Sequence, residues 1–263
     1  MGSDHTTIQS LRAVDAWIDV INANINGGVR TAFKSSRLKF AGSNTDLIRA
    51  GTTSSLPLQF PESSLTTANS VIDFSQGAIT TSTERTHLAI QGRGFFVLNG
   101  LPDPVTAAVP FLDVFSRDGE FRVDSRGLLC NSQGLYLYDA LGNDLVYDDS
   151  VVTTPPVVPF GWGVPITLTA FLALNGQALQ CFDDPQSLQY TRYGSTFFNY
   201  TGAALAPIGD ASTTVLTKSL EASNASMTQS VPELSLAQKL FSALTKVLQT
   251  SQTNLDNVLN LVR

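Results

Sequence analysis

The sequence predicts an α+β chain, in which a mostly antiparallel β central domain lies between long N- and C-terminal helices that pair as a coiled coil. Three observations lead there. Apolar residues recur at alternating spacings of three and four at both ends, the period of a helical seam. Between those ends, short β-branched and aromatic runs are cut by turn-forming residues, the pattern of an antiparallel meander. The chain has 263 residues, 43% of them apolar, enough to bury a core in one body with appendages.

The first element covers residues 8–26, where Leu11, Val14, Ile18, Ile21 and Ile25 form the seam. Gly27 and Gly28 end it, because paired glycines disfavour helix and readily supply the positive φ of a C-terminal cap. Residues 41–69 are rich in Ser and Thr, contain Pro57 and Pro61 and show no sustained period, so they read as a loop or extended arm. The β body follows, with strands expected at 87–91, 94–98 and 120–124 and turns at Asn99-Gly100, Arg126-Gly127 and Gly142-Asn143. Residues 115–123 read as two strands joined at Asp118-Gly119, a pair suited to a type I′ hairpin. Pro155, Pro156, Pro159 and Pro165 mark an edge or irregular crossing.

The seam returns over 233–262 with Ala237, Phe241, Leu244, Leu248, Leu255, Val258 and Val262, interrupted at Ser251. Pro232 stands just ahead of this helix and Ser230 serves as its cap. The expected organisation is an N-terminal assembly helix in 1–40, a polar arm in 41–71, a β-rich domain in 72–205, and a linker with a C-terminal assembly helix in 206–263. Periodicity leaves open whether the seams close on each other within one chain or stay open for neighbouring subunits.

Charge and motif content then narrow the function. Lys and Arg number 16 against 22 Asp and Glu, a formal net charge of -6, so no broad basic face awaits phosphates and nucleic acid is not an expected partner. The longest apolar neighbourhood, 164–174, falls short of the roughly 20 residues a bilayer requires, and residues 1–15 lack a basic segment followed by an unbroken apolar run. Neither membrane insertion nor a cleaved signal peptide is expected.

The histidines are His5 and His87, which leaves a His-based triad without a partner motif, and no zinc-ligand spacing is present. Gly92-Arg93-Gly94 lies in a β-rich stretch and reads as turn punctuation rather than a dinucleotide loop. The pairs Asp148-Asp149 and Asp183-Asp184 have the chemistry for a hard cation or for acid–base glycan cleavage, but adjacent loop aspartates are ordinarily solvated. No catalytic residue, cofactor or metal is expected. Cys130 and Cys181 form either two buried thiols, the default, or one disulfide. The organisation also allows a self-contained β-domain binding or adhesion module on a closed helical stalk, and, third, a glycan-cleaving enzyme using Asp183 or Asp184.

Specific strings add a resemblance. Ile18-Asp-Val-Ile-Asn-Ala-Asn-Ile, followed by Thr31-Ala-Phe-Lys, resembles the N-terminal signature of bacterial flagellar rod and hook proteins, approximately LDVIxNNLANxxTxGFK. Phe74-Ser-Gln-Gly-Ala-Ile, Leu88-Ala-Ile-Gln-Gly-Arg-Gly-Phe-Phe-Val-Leu and Phe115-Ser-Arg-Asp-Gly-Glu-Phe-Arg-Val continue it. Leu220-Glu-Ala-Ser-Asn, Ala237-Gln-Lys, Lys246-Val-Leu-Gln-Thr and the closing helix complete it in the family's order. The resemblance implies an axial structural protein, not an enzyme, whose terminal helices form the inner tube of a helical rod with the β domain outside.

Its implied partners are copies of itself and other flagellar rod and hook proteins. The implied location is the periplasm-spanning rod of the basal body, reached by type III export. In this reading the seam residues carry assembly, while Asn24, Thr31, Phe33 and Lys34 set the junction of helix and arm. The length looks like a rod protein rather than a hook protein, and the Ser-Gln-Gly-Ala-Ile string looks like the distal branch. There are departures too: Ala32 replaces the family glycine, Gly27-Gly28 stands where Asn is usual, and Ser10-Leu11 and Val14-Asp15 replace Gly-Met and Gln-Gln. An alanine at position 32 predicts an altered turn out of the helix.

Overall fold

The computed structural model describes residues 2–42, 46–49, 58–60, 64–100, 114–140, 143–147, 166–182, 184–200 and 213–261. Val262, Asp148, Asp149, Asp183, the Gly142 half of one expected turn and the prolines at 155, 156, 159 and 165 lie outside them. The described elements are helical at both ends and mostly antiparallel β between them. The chain forms two compact units, one from Met1–Asn26, Ser36–Asp73 and Ala225–Arg263, the other from Gly27–Ser35 and Phe74–Asn224.

Helix α1, Gly2–Gly27, begins earlier than its seam, with no proline or glycine between Ser3 and Ile8 to stop propagation. The positive φ expected at Gly27 or Gly28 falls instead on Ala32, at 53°. That left-handed conformation costs an L-residue about 1–2 kcal/mol. It is held by the Ala32 N–H, which donates to the Glu221 carbonyl at 2.8 Å. Gly27 is required for space rather than for φ, because the Phe33 ring lies where its Cβ would stand.

Paired strands run through and just ahead of the stretch expected to be loop or arm: β1, Ser36–Gly42, which begins before it, β2, Asp46–Arg49, β3, Leu58–Phe60, and β4, Leu65–Ile72. β1 runs antiparallel to β4 with a bulge between Lys39 and Phe40, and β2 pairs with β3. The sequence hid β4 because residues 67–70 are all exposed, so no apolar alternation is needed. The Leu65 N–H donates to Ser10 Oγ at 3.0 Å, and Trp17 meets Phe40 edge-on at 5.6 Å, which seats α1 against this ribbon.

The second unit contains β5 (Ile79–Thr81), β6 (Leu88–Gln91), β7 (Phe96–Asn99), β8 (Val114–Ser116), β9 (Arg122–Val123), β10 (Leu129–Cys130), β11 (Tyr136–Tyr138), β12 (Leu145–Val146) and β13 (Ile166–Thr167). Helix α2, Leu168–Leu174, is capped by Thr167 Oγ1, which accepts from the Ala170 N–H. The strands β14 (Gln189–Thr191), β15 (Gly194–Asn199), β16 (Thr214–Thr217) and β17 (Ser219–Glu221) complete it. One seven-stranded sheet has the order β14-β15-β8-β7-β11-β10-β9, while β16 pairs with β6 and β17 with β5. β12 and β13 are parallel, an exception to the antiparallel rule of the body.

The expected hairpin across Asp118-Gly119 does not form: β8 pairs with β7 and β15, and β9 pairs with β10 across the Arg126-Gly127 turn. Gly119 serves close approach instead, since a Cβ there would strike the Leu88 carbonyl. Both faces of the sheet are buried. Phe96, Leu98, Val114 and Phe197 join the main core, while their neighbours Phe95, Phe115 and Phe198 point the other way into edge-to-face contacts with Phe74 or Phe182. Such strands read as unbroken apolar runs.

Helix α3, Met227–Leu261, is 35 residues long, about 52 Å at 1.5 Å per residue. It starts before Pro232, which lies inside it, and Ser230 is a helical residue rather than the cap. The Ser226 carbonyl accepts from the Gln229 and Ser230 N–H groups, so the first turn is already closed ahead of the proline. Pro232 sits near enough to that end to withdraw a single hydrogen bond.

Candidate functional site

The seam residues divide into a covered and an uncovered set. Val14, Ile21 and Ala237 are buried in one apolar cluster, with Ile18, Ile25 and Leu244 packed against it. Trp17, Leu65 and Leu234 also belong to this cluster and were not singled out by periodicity. Leu11 and Leu248 are half-buried outside it. Phe241, between Ala237 and Leu244, is 38% exposed, and beyond Leu248 cover is lost, with exposure running from 44% at Leu255 and 57% at Val258 to 85% at Leu261. α1 has 26 residues and α3 has 35, so a partner helix of α1's length leaves part of the longer seam bare.

The junction residues have defined partners. Asn24, at the end of α1, holds both backbone groups of Ser36, with Nδ2 donating to the carbonyl at 2.7 Å and Oδ1 accepting from the N–H at 2.9 Å. Thr31 Oγ1 donates to Asp118 Oδ1 at 3.2 Å, and burial pushes the Asp118 carboxyl above its usual range despite the Glu120 N–H. The Phe33 carbonyl accepts from the Asn224 N–H at 3.2 Å.

Lys34 is fully buried. Its Nζ donates to Glu221 Oε1 and to the Ser75 carbonyl, each at 2.7 Å. Glu221 also takes the Gly77 N–H at 2.9 Å, and Arg117 Nη1 lies 3.4 Å from its second oxygen. Arg117 in turn donates to the Gly94 carbonyl at 2.9 Å and the Gly92 carbonyl at 2.7 Å, with its guanidinium over the Phe95 ring. Asn224 Oδ1 accepts from the Ser35 N–H at 2.7 Å, and its Nδ2 donates to the Ser75 carbonyl at 3.1 Å.

Five separate strings of the resemblance thus meet at one buried node. Glu221, Arg117, Ser75 and Asn224 were present in those strings but had no assigned place. The signal of Glu221 and Arg117 was a charge next to an apolar run; Ser75 and Asn224 gave none. With Lys34, Arg117 and Glu221 sealed from solvent and Ser75 and Asn224 at its edge, the node acts as a fastening between chain segments.

Other polar residues have local work. Asp184 Oδ1 accepts from the Gln186 N–H at 3.0 Å and caps a short turn. His87 Nδ1 is 2.7 Å from Ser82 Oγ. Burial raises the Asp144 carboxyl to about 6, opposed by a hydrogen bond from Tyr138 and reinforced by Asp139. Cys130 and Cys181 are buried free thiols. Among the described residues, no group of His, Cys, Asp and Glu suits a metal ion, and no helix is long and apolar enough to cross a membrane.

No protein-family profile matches the chain. It is similar to the flagellar basal-body rod protein FlgG of Borreliella burgdorferi, with 28% identity over 276 residues that span 98% of this chain and 97% of that protein. The similarity is end to end, and it supports the rod and hook resemblance carried by the motif strings.

Proposed function

We propose that the chain is a structural subunit of the bacterial flagellar basal-body rod, of the distal kind, in an axial polymer that transmits torque from motor to hook. Its terminal helices pair as a coiled coil within a helical assembly of its own copies and other rod and hook proteins, reached by type III export. The observation that carries the reading is the uncovered length of the α3 seam, on a chain similar end to end to a rod protein. Covering what is still exposed of Leu255 and Val258, about half of each residue, is worth about 1 kcal/mol each, a gain this chain leaves for a neighbour. Leu11, Val14, Ile18, Ile21, Ile25, Ala237, Phe241, Leu244, Leu248, Leu255, Val258 and Val262 are the assembly residues. Asn24, Thr31, Phe33 and Lys34 set the helix–arm junction.

The test is sedimentation and electron microscopy of the full-length chain at rising concentration, beside Leu255→Asp/Val258→Asp. We expect polymer from the first and none from the second, with unchanged circular dichroism. Polymer from the charged variant at the wild-type concentration would overturn the reading. Ile21→Asp is a poorer probe because Ile21 is buried within its own chain. The closed cluster at Val14, Ile21 and Ala237 favours, as a second reading, a β-domain binding or adhesion module on a helical stalk, which a persistently monomeric chain would select.

A further inference from the structure

Three Asn-Gly pairs occur in the sequence, Asn26-Gly27, Asn99-Gly100 and Asn175-Gly176. In such a pair the glycine amide nitrogen can attack the asparagine side-chain carbon, because no glycine Cβ stands in its way. The ring that forms is a five-membered imide, so the asparagine Cβ and the next nitrogen must lie nearly eclipsed about the Cα–C bond. An L-residue sets N and Cβ about 120° apart around that bond, so closure asks for ψ of about −120°. Asn175 has φ 49° and ψ −127°, which puts its Cβ about 7° from eclipsing the Gly176 nitrogen. The other two pairs are far from that alignment: Asn26 lies within α1, where ψ is about −42°, and Asn99 within β7, where ψ is about +135°. The Asn99 side chain is also buried, with Oδ1 accepting from the Gly100 N–H at 2.8 Å.

The conformation at Asn175 is that of the first central residue of a type II′ turn, where glycine is the usual occupant. It is held from both sides. The Asn175 N–H donates to the Leu172 carbonyl at the end of α2, and the Gly176 carbonyl accepts from the Leu179 N–H at 3.2 Å. Gly176 and Leu179 are buried while Asn175 is exposed, so the backbone is fixed and water reaches the side-chain amide.

We propose that Asn175 is a self-modification site, at which the folded chain converts this asparagine to aspartyl and isoaspartyl forms through a succinimide. The Gly176 nitrogen gives up its proton and bonds to Asn175 Cγ; the Cγ–Nδ2 bond breaks, and the amide nitrogen leaves with that proton as ammonia. Water then adds to one ring carbonyl and breaks its bond to the Gly176 nitrogen. Opening at Cγ gives aspartate, and opening at the main-chain carbonyl gives isoaspartate, with the chain continuing through Cγ. Either product adds one negative charge at the C-terminal end of α2. The fold supplies the near-attack alignment that a mobile chain reaches only by chance.

The experiment is incubation of the full-length chain in mildly alkaline buffer, folded and in urea, with peptide mass spectrometry reading loss of ammonia and then gain of water at each Asn-Gly pair. In the folded chain Asn175 should convert about tenfold faster than Asn26 and Asn99, and added hydroxylamine should cleave between Asn175 and Gly176. In urea the three pairs should convert at similar rates, with Asn175 slower than in the folded chain. Folded Asn175 converting no faster than folded Asn26, which is also exposed, or no faster than itself in urea, overturns the proposal.

Discussion

Glu221→Gln is the substitution whose cost the structure defines best. The carboxylate takes Lys34 Nζ at 2.7 Å and stands 3.4 Å from Arg117 Nη1, and the side chains of Lys34, Arg117 and Glu221 are exposed by 0%, 5% and 0%. The amide keeps the shape and one acceptor for the Gly77 N–H but removes the charge, leaving two cations sealed away from water. Removing one member of such a buried pair costs about 3–5 kcal/mol. With a urea dependence of about 2–3 kcal/mol per molar, the midpoint falls by roughly 1–2.5 M. Pulsed amide exchange over residues 88–99 along a urea series reads this unit by itself. Adding Lys34→Met should recover part of the loss, because the orphaned cation is then gone, while Arg117 keeps recovery incomplete. A midpoint shift under about 0.3 M for Glu221→Gln would refute the reasoning, since it would mean that water or another anion reaches the node.

Gly119→Ala should destabilise the chain by about 1–3 kcal/mol through collision with the Leu88 carbonyl. Gly134→Ala, with φ +77° but open space around it, should cost about 1 kcal/mol; equal urea midpoints for the two variants would count against the packing argument. Asp144 titrates near 6 when folded and near its ordinary 3.8 when unfolded, so the native state holds the extra proton between these values and its stability declines as pH rises through them. Asp144→Asn lacks this decline, and its advantage over wild type should grow from pH 4 to above pH 6 and then level off. A pH-independent difference in thermal midpoint would sink that assignment.

The helices and strands that announced themselves did so through period. Leu11 to Ile25 and Ala237 to Val258 repeat at three and four because each helix has an apolar side, and the Arg126-Gly127 turn marks a true hairpin. β4 was silent because its exposed Thr, Asn and Ser satisfy an antiparallel ladder as well as alternation would, whereas β1 does alternate, with Leu38 and Phe40 more covered than Arg37 and Lys39. Asp118-Gly119 misled because an Asp-Gly pair suits several tight connections, and here Thr31 holds the aspartate while Leu88 crowds the glycine. The node escaped because its members come from segments as much as 187 residues apart, a distance over which no local period acts. Cover along α3 depends on which partners reach it, and sequence spacing carries no record of that.

The ties from Ala32 to Glu221 and from Phe33 to Asn224 hold the Gly27–Ser35 segment beside the segment at the end of the β unit, Phe74–Asn224. A module held at its neck in this way can be enlarged from inside. Doubling the length of one of its surface loops costs only about 0.6 kcal/mol in closure entropy, and the two tied segments keep their spacing whatever is inserted beyond them. Size, decoration and loop chemistry of the β unit are therefore open to drift, while Lys34, Arg117 and Glu221 must change together or not at all.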